Sequence, residues 1–298
     1  MSLETRTPTV DEAPAIQALL EEHALASFGE PELSEEEIRS WFSKPKLWIQ
    51  VAERDGSLVG YVDVGSEEGR FNVDVRTLDR EVASELIAAA EEHARGKAGQ
   101  KVLRGYVQGD EPVLRDAYED AGWRPIRHSF QMRIDLGDDI PDPVWSPGLT
   151  PRNARPGEEE RVYEAHMDSF ADHWDFHRQP YDDWRIDNLE GPGFDPSLWW
   201  LAEDRGELAA ISLNSWHFSG DPQFGWIGIL GVRPPWRRQG LATALLQHSF
   251  RDFRSRGATR VGLGVDGENT TGAIRLYERV GMTVARRNDT YEKVLDGG

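Results

Sequence analysis

Cysteine is absent from this chain of 298 residues. That absence excludes disulfides, thiolate metal sites and any route that parks an acyl group on cysteine, so a transferred group passes directly from donor to acceptor. Long apolar runs are missing too: no stretch approaches the roughly 20 residues that cross a bilayer. The opening Met1-Ser2-Leu3-Glu4-Thr5 has neither the basic nor the apolar region of a secretory leader. A cytoplasmic location and no membrane partner are the expectations. Positive charge is scarce, with 34 Lys and Arg against 53 Asp and Glu and a net charge of −19. Such a field repels nucleic acid and draws in cationic amines, although excess acid also serves solubility alone. No nucleic-acid partner is expected.

What is present falls into two copies of one plan. The length suits two domains, each with its own core. From Asp135 to Pro156 the chain carries Pro141, Pro143, Pro147, Pro151 and Pro156 with an acidic Gly137-Asp138-Asp139 stretch, which reads as a connector with a boundary near residue 145. Either side of it, Val51-Ala52-Glu53-Arg54-Asp55-Gly56 matches Leu201-Ala202-Glu203-Asp204-Arg205-Gly206, each a strand entering a tight turn, 150 residues apart. Leu86, Tyr118 and Gly122 match Leu245, Tyr277 and Gly281 at 159, so the second copy has gained nine residues between Leu208 and Leu245. The tails correspond as well, Met132-Arg133-Ile134-Asp135-Leu136 against Tyr291-Glu292-Lys293-Val294-Leu295. Domains are therefore expected at 1–140 and 149–298.

In the second copy a helix from Pro156 to Phe170 precedes strands Trp199 to Glu203, Leu208 to Trp216 and Phe224 to Val232. Ala242, Leu245, Leu246, Ser249, Phe250 and Phe253 then share one face of a helix that ends at Gly257. A strand from Arg260 to Val265, a helix from Ala273 to Val280 capped by Asn269 or Thr270, and a strand from Thr290 to Leu295 follow. The expected class is α+β, each domain a mixed, mostly antiparallel sheet flanked by helices.

The segment Ile229-Leu230-Gly231-Val232, Arg233-Pro234-Pro235-Trp236, Arg237-Arg238-Gln239-Gly240-Leu241-Ala242 is a strand feeding a basic, glycine-containing turn that opens a long helix. A helix N-terminus presents unpaired N–H groups and the positive end of its dipole, which suit a pyrophosphate. Gly240 lets oxygen atoms reach the backbone, and Arg237 and Arg238 add guanidinium donors. The competing reading is a solvated basic turn with a glycine that only relieves it.

Strand, Arg-x-x-Gly-x-Ala and helix, followed by Asn269…Leu276-Tyr277-Glu278…Gly281-Met282, resemble the GNAT superfamily of N-acetyltransferases over residues 149 to 296. The tandem plan with one degenerate half is also similar to that of mycothiol synthases, in architecture and shared motifs alone. The resemblance implies acetyl-CoA, or another acyl-CoA, as co-substrate. Leu230, Gly231 and Val232 would meet its pantetheine arm, Arg237, Arg238, Gln239, Gly240, Leu241, Ala242 and Thr243 its pyrophosphate, and Asn269 the arm again. Tyr277 would protonate the departing thiolate; the plain alternative is a core aromatic, as its counterpart Tyr118 is expected to be. In the first copy Leu78, Asp79, Arg80 and Glu81 align with Arg237 to Gly240, and a carboxylate at Glu81 opposes pyrophosphate. Residues 1–140 are thus expected not to bind CoA productively.

The acceptor is expected at His166-Met167-Asp168-Ser169-Phe170-Ala171-Asp172-His173-Trp174-Asp175-Phe176-His177. Carboxylates beside aromatic faces suit a protonated amine, with Asp168, Trp174 and Trp216 as contacts and His173 or Asp175 as base. Ordinary packing of the aromatics and solvation of the acids compete with this reading. The histidines lack regular ligand spacing, so no metal is expected. Strand Phe224 to Val232 contains no carboxylate, which leaves a water relay as the fallback base. The expected activity is acyl transfer to a primary amine of a small molecule by a monomer or homodimer. The alternatives are a noncatalytic acyl-CoA sensor or scaffold and a protein N-terminal acetyltransferase.

Overall fold

The computed structural model describes residues 3–67, 70–97, 101–191, 193–217, 221, 223–269 and 271–295. The first copy runs β1 (Leu3–Arg6), α1 (Ala13–Phe28), α2 (Glu35–Trp41), β2 (Leu47–Arg54), β3 (Ser57–Glu67), β4 (Arg70–Arg76), α3 (Arg80–Arg95), β5 (Lys101–Gln108), α4 (Pro112–Asp120) and β6 (Arg124–Asp135). The second runs β7 (Pro151–Asn153), α5 (Glu159–Phe170), α6 (Tyr181–Leu189), β8 (Trp200–Asp204), β9 (Glu207–Trp216), β10 (Phe224–Val232), α7 (Leu241–Ser255), β11 (Arg260–Asp266), α8 (Ala273–Arg279) and β12 (Thr283–Leu295). The two orders are identical, as the repeat implies. Residues 136–150 between them have no helix or strand. The cap expected at Asn269 is displaced: Gly272 takes that position, Asn269 Oδ1 accepts from the Thr271 amide at 2.8 Å, and Thr270 lies outside the described residues.

Contacts divide the chain into residues 1–130 with 286–298, and residues 131–285. The expected halves are thus crossed by their last strands. In the first unit the sheet order is β1-β2-β3-β4-β5-β12, with Asn288 to Leu295 antiparallel to β5. In the second it is β6-β11-β10-β9-β8-β7. Each sheet is completed by the tail of the other copy. Most pairings are antiparallel, and β4–β5 and β10–β11 are parallel, which makes the fold α+β.

Local chemistry explains the matching hairpins. Asp55-Gly56 and Arg205-Gly206 all have positive φ (54, 81, 50 and 88°), the geometry of a two-residue turn whose twist suits the strands it joins. Both hairpins also shift register at equivalent places, Ala52/Glu53 and Ala202/Glu203. Helix α7 buries Leu241, Ala244, Leu245, Leu246, Ser249, Phe250 and Phe253, the face expected from spacing except that Ala242 is only half-buried. Gly225 on β10 admits this helix closely, since a Cβ there would stand 2.6 Å from the Phe253 ring.

Candidate functional site

Strand β10 positions the site through an irregularity. Its ladder with β9 slips between Ile227 and Ile229, which puts Gly228 outside the regular register. Its parallel ladder with β11 stops at Ile227–Leu263. Beyond that point the two strands part, and a cavity of about 530 Å3 opens, lined by Gly228, Leu230 and Val232 on one side and Leu263 to Asp266 on the other. At one end lies the start of α7, with Arg237, Arg238, Gly240, Leu241, Ala242 and Thr243 on the wall. Asn269 and Tyr277 also line it.

The start of α7 has features that suit an anion. Gly240 holds the cap position at φ 82°, a left-handed conformation that favours glycine, and no side chain caps the helix. The first intrahelical bond is Ala244 N to Gly240 O at 3.0 Å, so the amides of Leu241, Ala242 and Thr243 precede the ladder. A Cβ built on Gly240 meets nothing within 4 Å, so the approach to these amides is open. Uncapped donors, helix dipole and open approach fit a pyrophosphate.

Two members of the expected cofactor set do not line the cavity. Gly231 serves packing, because a Cβ there would stand 2.8 Å from Ser169 Cβ, and Gln239 turns its amide toward Pro235 O at 3.3 Å. Tyr277 does line it and is 8% exposed. Burial pushes its hydroxyl up to about 12, so it keeps its proton at neutral pH.

On the acceptor side the structure separates the candidates. His173 lines the cavity beside Ser169 and Phe170, whose ring centroid is 4.4 Å from the imidazole. Partial burial, above all, lowers the His173 pKa and so favours the neutral ring; Asp172 and Asp266 act the other way. Asp168, Trp174, Asp175 and Trp216 are not on the cavity wall. Asp168 binds Arg233 at 2.7 Å, Trp216 packs edge-on against Phe253, Trp174 is 48% exposed, and Asp175 turns the chain at φ 54°. His166 belongs to the core: its Nδ1 accepts from Trp184 Nε1 at 2.9 Å, and burial first, then the nearby His173, lowers it to about 4. Among the described residues no group of three or more His, Asp or Glu is arranged to hold a metal.

Sequence reasoning missed Ile227, Gly228, Leu263, Gly264, Val265 and Asp266 on the wall. The glycines Gly228 and Gly264 inside apolar strands were the available signal, since such glycines mark bulges and close approach.

Among the described residues the first unit differs at the matching places. Its β3–β4 ladder runs without interruption from Tyr61–Arg76 to Glu67–Arg70. By register Arg76 stands where Gly231 stands, and its buried guanidinium binds Asp74 at 2.8 Å and Glu32 at 3.0 Å. Helix α3 begins two residues earlier than the repeat alignment implies, so Asp79 rather than Glu81 holds the cap position. Its carboxylate accepts from the Glu81 and Val82 amides at 2.9 and 3.2 Å. A Cβ on Gly105 would strike the Tyr118 ring at 2.4 Å, whereas one on the matching Gly264 meets nothing. Tyr118 is a fully buried core aromatic stacked on Tyr291.

Comparison with known proteins agrees with this geometry. Residues 159–282 match the acetyltransferase (GNAT) family model. The chain is 31% identical over 259 residues to a mycothiol acetyltransferase from Salinispora arenicola, covering 84% of this chain and 82% of the relative. It is 30% identical over 295 residues to one from Beutenbergia cavernae, covering 95% and 91%. A GCN5-related N-acetyltransferase from Sphaerobacter thermophilus superposes with a TM-score of 0.81 at 30% identity, covering 99% of this chain and 96% of the other. A tandem GNAT protein from the clavulanic acid biosynthesis pathway shares the fold, with a TM-score of 0.74 at 16% identity over the whole of both chains. This chain belongs to the GNAT family and is an acetyl-CoA-dependent acetyltransferase.

Proposed function

We propose that residues 131–285 carry an acetyl group from acetyl-CoA to the primary amine of a small molecule. The observation that carries this reading is the continuous wall from the uncapped α7 N-terminus, past the parted strands, to Tyr277. The relatives' name, mycothiol acetyltransferase, supports a small-molecule acceptor. Acetyl-CoA supplies an activated acetyl thioester. The amides of Leu241 to Thr243 and Arg238 bind its pyrophosphate, and the edges of β10 and β11 that face the gap orient the arm. Tyr277 holds the proton that the leaving sulfur takes. His173 accepts the proton that the amine gives up, directly or through water. Placement recovers the entropy of a two-substrate encounter.

The test is release of CoA thiol by purified protein with a panel of small primary amines; absence of turnover with every amine, together with tight CoA binding, overturns the small-molecule acceptor. His173 is neutral above its lowered pKa, so rates fall as pH drops through that value. His173→Gln should remove this acid limb and lower turnover roughly tenfold, less than the 10²-fold or more typical of general bases because water can relay the proton. An unchanged pH profile would leave His173 without that role.

The first unit binds no CoA in this reading. Asp79 occupies the amides a pyrophosphate needs, and the Tyr118 ring lies against Gly105 where the matching face of Gly264 is open. Calorimetry should give one CoA per chain; a stoichiometry of two would contradict the assignment.

A further inference from the structure

Arg237 opens the Arg-x-x-Gly turn, yet its guanidinium is already engaged by protein. Nε donates to Val232 O at 3.1 Å, Nη1 to Asp172 Oδ2 at 2.6 Å, and Nη2 to Ser169 O at 3.1 Å and Asp172 Oδ1 at 2.9 Å. Four residues earlier Arg233 repeats the pattern, with Nε and Nη2 on Asp168 Oδ2 at 3.1 and 2.7 Å and Nη1 on Leu208 O at 3.2 Å. Two arginines spaced by four thus reach two aspartates spaced by four. Together they clamp the turn after β10 onto the end of α5.

The clamp ends next to a chemically competent group. Asp172 precedes His173, which lines the cavity, and residues 171–180 contain no helix or strand to hold it. Two turn bonds, His173 N to Phe170 O at 2.8 Å and Phe176 N to His173 O at 3.3 Å, hold its backbone. The bidentate Asp172–Arg237 pair adds direction as well as attraction, because a planar guanidinium accepts a carboxylate in one plane. Arg238, by contrast, is exposed on the cavity wall at φ 61°.

We propose that Asp172 and Arg237 are positioning residues: the pair fixes His173 against the cavity and couples the acceptor side to the pyrophosphate turn, while Arg238 and the α7 amides carry the phosphate charge. This rests on the function proposed above. The two arginines of the turn therefore divide the work. Arg237 sets geometry and Arg238 sets cofactor affinity.

The experiment compares Asp172→Asn, Arg237→Gln, their double variant, Asp172→Glu and Arg238→Gln in the full chain. Turnover, both KM values, CoA affinity by calorimetry and the ring-current-shifted His173 proton signals by NMR without CoA are read. Asp172→Asn and Arg237→Gln should each lower kcat about tenfold and raise the amine KM, with CoA affinity within about threefold of the parent, since small misplacements slow chemistry strongly. The double variant should be no worse than either single one, the signature of a shared interaction. Asp172→Glu should recover most of the rate. Arg238→Gln should weaken CoA by about tenfold or more while kcat at saturation holds. The proposal is overturned if Arg237→Gln weakens CoA as much as Arg238→Gln while Asp172→Asn is silent, if the two losses add, or if the His173 signals stay put in both single variants. Should the parent chain neither bind CoA nor release thiol, the proposed function fails, and the His173 signals still decide the clamp.

Discussion

A chain carrying Gly240→Glu is expected to lose CoA affinity by about 10²-fold or more, below detection in an ordinary calorimetric titration. Two effects combine. The backbone at Gly240 is left-handed, at φ 82°, which costs any other residue about 1–2 kcal/mol. The larger effect is charge: two unit charges about 4 Å apart interact by roughly 4 kcal/mol at the effective dielectric of a protein surface, and salt screens part of this. Helix stability itself does not suffer, because an acidic side chain at a helix N-terminus is favourable by about 0.3–1 kcal/mol. Gly240→Ala separates the two effects, since it carries the strain without the charge. Its loss should be near tenfold, and only the glutamate variant should regain affinity as salt is raised. An unchanged dissociation constant in Gly240→Glu would place the pyrophosphate elsewhere and remove the basis of the proposed chemistry.

The second large effect is expected at Tyr277. Tyr277→Phe should lower kcat by roughly 10²-fold or more, the range typical of a lost general acid, while the KM for acetyl-CoA changes little. Tyr277 lines the cavity and burial pushes its hydroxyl up to about 12, so it is protonated throughout the working range and its removal leaves the ring in place. The matched substitution Tyr118→Phe is the internal control, because that ring packs against Trp123 and Tyr291 in a closed core. It should leave kcat unaltered. Equal rates for the parent and Tyr277→Phe would reduce Tyr277 to packing like its counterpart.

Much of the cavity wall was legible because it lies in contiguous residues. The turn from Arg237 to Thr243 needs only a strand before it and a helix after it, and local pattern reveals both. Tyr277 was singled out through the family resemblance of a second short segment, and it lines the same cavity. The wall from Leu263 to Asp266 was not singled out, because it faces the cavity only where the β10–β11 ladder stops. A run of apolar residues alternates in the same way whether its neighbour stays paired or parts from it. The acceptor candidates could not be told apart in sequence for a related reason. Asp168, Asp172, His173 and Asp175 look alike in sequence as polar groups in one segment, yet two of them are taken by Arg233 and Arg237 from a turn 65 residues away.

The repeat, the order of helices and strands, the tight hairpins and the glycine turn that opens α7 follow from local spacing and from the conformations that glycine permits, so the sequence alone determines them. The partner of each closing strand does not follow. The tails 132–136 and 291–295 carry similar alternating patterns, and either could pair beside β5 or β11. Only the folded chain decides that residues 288–295 lie against β5 and that 131–135 complete the other sheet. Backbone ladders are blind to side-chain identity, so that choice rests on which faces bury together. The space beside these strands is tertiary for the same reason: glycine stands at Gly105 and Gly264 alike, yet the Tyr118 ring lies against the first while nothing lies within 4 Å of the Cβ position at the second.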